Sequence, residues 1–299
     1  MEGKILYMRI NSNKLKLVAI IAMALDHFAM VFFYRRVELI PLCPRPLFYF
    51  YYTCRSIGRI ALPIFIFLMS EGFKYTRSKP KYLLRLLVFA IISEIPYNLA
   101  DAKRFWFPLE QNILFTLFMS LLNLYIIEKI QTAAHTVRGY ETNTFDEQSR
   151  KLTPTTLPIK ANSVSPNSVW ANSPKARNRD VSPLILIVCT TISCIISEKL
   201  YFSYGSSCVI SLALCYYIKE KRPLKVILMT IILMIWVYNY MTKRTIIFGY
   251  WHYAEIFAIF SLIPIMLYDA SLPNKKIKYL FYIFYPAHLL FFYILSRIL

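Results

Sequence analysis

Apolar runs long enough to cross, or nearly cross, a hydrocarbon core recur along this 299-residue chain, and no other feature narrows its folds as much. Inside a bilayer core about 30 Å thick every backbone N–H and C=O must be satisfied within the bundle, which favours helices of roughly 20 residues. Four runs, at about 15–34, 57–73, 82–99 and 112–127, precede a polar break, and five follow it at about 181–196, 202–218, 226–241, 248–268 and 279–298. With 57% hydrophobic residues the chain lacks the polar surface of a soluble domain. The expectation is all-α: a polytopic transmembrane helix bundle of about nine spans in the lipid bilayer of the cell membrane.

The polar break divides the chain without making a second core. Residues 1–130 supply the N-terminal membrane helices and residues 181–299 the C-terminal helices of the same bundle. Residues 131–180, rich in Ser, Thr, Asn and Pro, read as a disordered cytoplasmic loop that cannot bury enough surface to fold alone. The first run imitates a signal peptide but carries Asp26-His27 and no small-residue cleavage site, so it reads as an uncleaved span. Six scattered glycines form neither a P-loop nor a dinucleotide fingerprint. The net charge of +19 sits mostly in short loops, where topology and anionic lipid explain it; a contiguous basic stripe is missing, which argues against nucleic acid. Six cysteines without paired spacing read as small buried hydrophobes rather than metal ligands.

Basic residues on alternate sides of nine spans orient the bundle. The larger share of the 35 Lys and Arg, including Lys4, Arg9, Lys14, Lys16, Lys74, Arg77, Lys79, Lys81 and Arg85, falls on the side of the N-terminus, which is therefore expected in the cytoplasm. In that topology most intramembrane polar residues share an outer level. Asp26 and His27 lie past the middle of the first span, Arg59 near the outer start of the second, Glu94 and Asn98 toward the end of the third, Asn112 and Thr116 at the start of the fourth, and His252 and Glu255 near the outer end of the eighth. Glu94/Asn98, Asn112/Thr116 and His252/Glu255 have helical spacings that put each pair on one face. Asp26 and His27 point about 100° apart, so the first does not automatically orient the second. His288 lies deeper; facing inward it would close the cavity from the cytoplasmic side, and the alternative is a histidine hydrogen-bonded within the bundle.

Ionisable side chains in a span are costly, so each implies a partner or a function. A neutral His near a carboxylate suits general-base work, and Arg, which cannot act as a base, can hold a phosphate or a developing oxyanion. Together they suit acyl transfer from a carrier to an amine or hydroxyl. A proton-coupled transporter or exporter explains the same cluster almost as well, a structural Arg59–Glu94 ion pair explains part of it, and a scaffold subunit without chemistry is a third reading.

Particular segments carry a resemblance. LKLVAIIAMALDHFAM (15–30), RSIGRIALPIFIFLMSEGFKYTR (55–77), KYLLRLLVFAIISEIPYNLA (81–100) and KYLFYIFYPAHLL (278–290) together resemble the TraX family, whose founding members acetylate the N-terminus of conjugative F-pilin. The chain departs from the family pattern at Ser203-Tyr204-Gly205, where the family often has Asp before Tyr-Gly, and at Tyr268-Asp269-Ala270, where it has Tyr-Asn-Gly; the long polar loop looks like an insertion. The resemblance implies a multi-pass acetyltransferase that takes acetyl from acetyl-CoA. His27 would then be the general base, with Asp26 or Glu94 tuning or orienting it. Arg59 would hold the thioester or diphosphate end. Lys74, Arg77, Lys79, Lys81 and Arg85 would receive the anionic head of the cofactor, and His288 would contribute to its binding. The acceptor would be a pilin or other peptide N-terminus, or an envelope glycan. No metal enters this scheme.

Overall fold

The computed structural model describes residues 9–38, 44–152, 182–218, 222–244, 254–273 and 278–298. The described residues are helical: α1 Ser12–Glu38, α2 Arg45–Gly58, α3 Ala61–Tyr75, α4 Lys79–Ala100, α5 Ile113–Leu152, α6 Pro183–Lys199, α7 Gly205–Tyr217, α8 Arg222–Arg244, a 3₁₀ segment Glu255–Ser261 that passes into α9 Leu262–Met266, and α10 Lys278–Ile298. Among the described residues six segments are long and apolar enough to cross a membrane, and Gly205–Tyr217 and Glu255–Met266 are shorter apolar helices. The chain is a polytopic, all-α membrane bundle.

Its polarity pattern is that of a protein dissolved in lipid. Along α4 the side chains of Leu84, Val88, Ile91, Ile92 and Ile95 are exposed, while Ala90, Ser93, Glu94, Tyr97 and Asn98 are buried. Apolar branched residues therefore face outward at helical spacing and polar ones face the interior, where they find partners that hydrocarbon cannot supply. The cysteines behave as small hydrophobes: Cys54, Cys208 and Cys215 are buried, and those among the described residues are free thiols.

The second span differs from the sequence expectation. It extends over Arg45–Tyr75 and is broken near its centre, at Arg59-Ile60, where the N–H groups of Arg59 and Ile60 bond back three residues to the carbonyls of Ser56 and Ile57, each at 3.2 Å. Pro63 explains the break, because it has no N–H for the carbonyl of Arg59 and its ring crowds that carbonyl. Arg59 thus lies at mid-span and not near the outer start. The first half is weakly marked in sequence because the hydroxyl-bearing Tyr49, Tyr51, Tyr52 and Thr53 dilute its apolar character. The helix of the fourth span also runs further than its apolar stretch: α5 continues past residue 127 to Leu152, into the expected polar loop, the rest of which, residues 153–180, lies outside the described residues.

Helix α1 packs against α2, α3 and α10; α10 also packs on α4, α3 on α7, and α8 on α7 and the 3₁₀ segment. Residues 1–124 and 190–299 make one compact unit, and 125–189 a second. Two backbone bridges tie chain ends within the first unit: Ile10 beside Tyr268 and Gln111 beside Phe202. Arg9 adds an ion pair to Asp269 at 3.1 Å.

Candidate active site

Asp26 and His27 diverge from the middle of α1 toward different neighbours. Asp26 turns to α2, where its Oδ2 accepts a hydrogen bond from Arg55 Nη1 at 2.7 Å, and its Oδ1 lies 3.8 Å from Arg59 Nη2. Gly58 makes this approach possible: a Cβ there would stand 2.6 Å from the Asp26 Cγ. Arg59, one turn after Arg55, shares its helix face and carries the network on to further partners. Its Nη1 donates to the Tyr204 hydroxyl at 2.6 Å, and its Nε pairs with Glu255 Oε1 at 3.1 Å. The Tyr204 hydroxyl donates to the same Glu255 oxygen at 3.0 Å. Two carboxylates and two guanidiniums, each with a side chain no more than 13% exposed, form one charge-balanced chain across α1, α2, α7 and the 3₁₀ segment. Balance is what burial demands of such a cluster, since an uncompensated ion there is strongly destabilising.

Tyr204 holds its place through a local motif. It adopts a left-handed conformation, φ 58°, immediately before α7, and its ring stacks on Trp236 with centroids 5.0 Å apart. Glu198 supplies the missing cap of α7 by accepting from the Ser206 N–H at 2.9 Å and hydroxyl at 2.7 Å, and it also accepts from Trp236 Nε1 at 3.1 Å. A Cβ at position 205 would meet that carboxylate at 2.6 Å, so the residue after Tyr204 is glycine.

His27 turns to α10. Its Nδ1 lies 2.7 Å from His288 Nε2, and His288 Nδ1 lies 2.7 Å from the carbonyl oxygen of Phe284. The two ring centroids are 5.0 Å apart with planes 18° from parallel, the geometry of two imidazoles meeting nitrogen to nitrogen rather than face to face. Phe284 stacks on the His288 ring, and Tyr285 and Phe292 stand edge-on to it. The guanidiniums of Arg55 and Arg59 are within electrostatic reach of the His27 ring. His27 is half-buried, and its Nε2 makes no hydrogen bond among the described residues.

Glu94 belongs to another cluster. Its Oε2 accepts from the backbone N–H of Asn112 at 3.3 Å and from Asn112 Nδ2 at 2.6 Å, and its Oε1 accepts from Asn98 Nδ2 at 3.2 Å. Glu94 therefore neither orients His27 nor pairs with Arg59: it clamps α4 to the start of α5. Tyr285 stands edge-on to His27, with ring centroids 6.2 Å apart.

The basic residues expected to meet a cofactor head gather where α3 joins α4. Lys74 pairs with Glu71 at 2.9 Å, Lys79 lies over the Phe73 ring at 4.4 Å, Arg77 and Lys81 are exposed, and Arg85 is half-buried. His288, with both ring nitrogens engaged inside the bundle, is not among them. His252 lies outside the described residues. No group of three or more His, Cys, Asp or Glu that could hold a metal occurs among the described residues. Tyr285 was not singled out from sequence, and Tyr204 only through the Tyr-Gly element before α7.

These features define a class: a multi-pass helical membrane protein that buries a balanced ion network and a histidine pair at mid-bundle. The family model described as "TraX protein" matches residues 11–140 and 168–296, and the chain belongs to the TraX family. A relative described as "Probable fimbrial assembly protein FimC, serogroup H1", from Dichelobacter nodosus, is 37% identical over 121 residues, which are 38% of this chain and 45% of that protein. The chain thus spans under half the length of that curated relative. No solved structure matches.

Proposed function

We propose that this chain is an integral-membrane acyltransferase that moves acetyl from acetyl-CoA to an amine, with a pilin-like peptide N-terminus as acceptor. The observation that carries the reading is the half-buried His27, whose Nδ1 is engaged by His288 while Nε2 makes no hydrogen bond among the described residues, within electrostatic reach of Arg55 and Arg59. Membership of the TraX family and the fimbrial relative support a pilin-like acceptor. In the reaction the amine nitrogen attacks the thioester carbonyl carbon while His27 Nε2 takes the N–H proton. The C–N bond forms, the C–S bond breaks, and the departing CoA sulfur takes that proton from His27, leaving amide and free thiol. Arg59 and Arg55 lend positive potential to the developing oxyanion, and the charge-balanced network keeps them fixed while they do so. Lys74, Arg77, Lys79, Lys81 and Arg85 meet the anionic head of the donor at the cytoplasmic end.

The test is CoA thiol release by purified protein, supplied with acetyl-CoA and a synthetic peptide that has either a free or a blocked N-terminus. Release should require the free amine, add an acetyl mass to the peptide, and fall to background in His27→Ala. Release that is indifferent to His27, or transport under a pH gradient without any thiol release, would overturn the reading in favour of a scaffold or a proton-coupled exporter. A hydroxyl-bearing glycan that is acetylated in place of the peptide would retain the enzyme and change the acceptor.

A further inference from the structure

We infer that His288 is a positioning residue, which with the Phe284 carbonyl holds His27 in the single tautomer that presents Nε2 as its reacting nitrogen. The argument follows the protons. A carbonyl oxygen can only accept, so His288 Nδ1, 2.7 Å from Phe284 O, carries a hydrogen. A neutral imidazole with a hydrogen on Nδ1 has a lone pair on Nε2, and that atom lies 2.7 Å from His27 Nδ1. His27 Nδ1 must therefore be the donor, and neutral His27 keeps its lone pair on Nε2. When Nε2 takes a proton the chain of donors is unchanged, because His27 still donates through Nδ1 to His288. The relay is thus compatible with both states of a general base, and needs no rearrangement between them.

The surroundings make the orientation specific. His288 is 6% exposed, and its ring is held by the Phe284 face at 4.7 Å, with planes 12° apart, and by the Phe292 edge at 5.9 Å. A free imidazole prefers no fixed direction; this one has both nitrogens and one face committed. The part often taken by a carboxylate behind a catalytic histidine is here taken by a second histidine, while Asp26 and Glu94 are engaged by Arg55 and by Asn112. His288 acts through His27, and so need not touch the acetyl donor.

This inference rests on the acyltransferase reading for its consequence in turnover but not for its structural content, and the two are tested apart. Nitrogen-15 spectra of imidazole-labelled protein at about pH 8, where an ordinary histidine is neutral, read the tautomer directly. Among the four histidines, His27 and His288 are assigned by difference from His27→Asn and His288→Gln. The expected native signature is a protonated Nδ1 and a bare Nε2 on both His27 and His288; a protonated Nε2 on His27 overturns the inference, whether or not the protein transfers acetyl groups. In turnover, His288→Phe should lower kcat by about 10- to 100-fold, as loss of an orienting partner does, with the KM for acetyl-CoA within about twofold of native. His288→Gln, whose amide oxygen reaches the place of Nε2, should recover part of the loss. A rise in KM with kcat unchanged would mean that His288 binds the donor instead. The native tautomer present in a protein without transferase activity would sustain the relay and reject the reading it serves.

Discussion

Gly58→Ala concentrates the consequences of the site into one methyl group. A Cβ at this position would stand 2.6 Å from Asp26 Cγ, short of ordinary van der Waals contact at 3.4 Å by about 0.8 Å. The Asp26 Cβ is itself one of the crowded atoms, so rotating the carboxylate about χ1 gives no relief, and α1 and α2 must move apart. A shift of that size takes the 2.7 Å Arg55–Asp26 hydrogen bond to the edge of bonding range. Overpacking costs about 1–3 kcal/mol, and loosening a buried ion pair adds to it. Gly72→Ala is the control, because its Cβ would meet nothing nearer than the Tyr82 hydroxyl at 3.7 Å, and alanine is the better helix former by about 0.5–1 kcal/mol. Thermal unfolding of the purified protein in detergent should therefore move in opposite directions for the two variants, down for Gly58→Ala and level or up for Gly72→Ala. Equal midpoints would refute the claim that glycine at 58 exists to let Asp26 in.

Other perturbations separate the clusters. Arg59→Lys leaves one ammonium where three guanidinium nitrogens reach Tyr204, Glu255 and Asp26; it should cost about 1–3 kcal/mol in detergent unfolding, whereas Arg9→Lys at a largely exposed pair should be near neutral. Glu94→Gln should change stability by less than about 1 kcal/mol, since the Asn98 amide can turn its Oδ1, which makes no hydrogen bond among the described residues, toward the new NH2; Glu94→Ala, which removes the clamp, should cost about 2 kcal/mol or more. Asp269 is held below the usual carboxylate range, first by the Ser271 hydroxyl and N–H and then by Arg9. A lowered folded pKa means that its contribution is present above the unfolded value, about 3.9, and is lost as pH falls through the folded one. Hydrogen exchange at the Ile10 and Asp269 amides should therefore lose protection below about pH 4; loss near neutrality would point to another group.

The fold was legible because a bilayer leaves few choices. Apolar runs of the right length, interrupted by charge, mean spanning helices, and the periodicity of α4 says which side faces lipid. What sequence concealed was the break at Arg59, since a proline four residues downstream kinks some helices and breaks others, and the outcome depends on the packing that receives the freed carbonyl. Asp26, His27 and Arg59 stood out because each is expensive in a span. Their partners did not, because pairing between helices is decided by rotation about each helix axis, which no single run encodes. The roughly 100° between Asp26 and His27 permitted two separate partnerships without naming either.

That angle also explains why one short dipeptide can serve two purposes. Had Asp26 oriented His27 directly, its carboxylate would have been withdrawn from Arg55, and the buried charges of α2 would have lost their balance. The Asp is instead committed to Arg55 and Arg59, while the His takes an uncharged orienter from α10. The division leaves the ion network and the histidine relay about 100° apart around α1, with no atom in common. A double-mutant cycle between Asp26→Asn and His288→Gln should accordingly show coupling below about 0.5 kcal/mol in stability, because the pairs share no atom, yet clear coupling in turnover, because both set the attitude of His27. Strong coupling in stability would mean that the two networks are one.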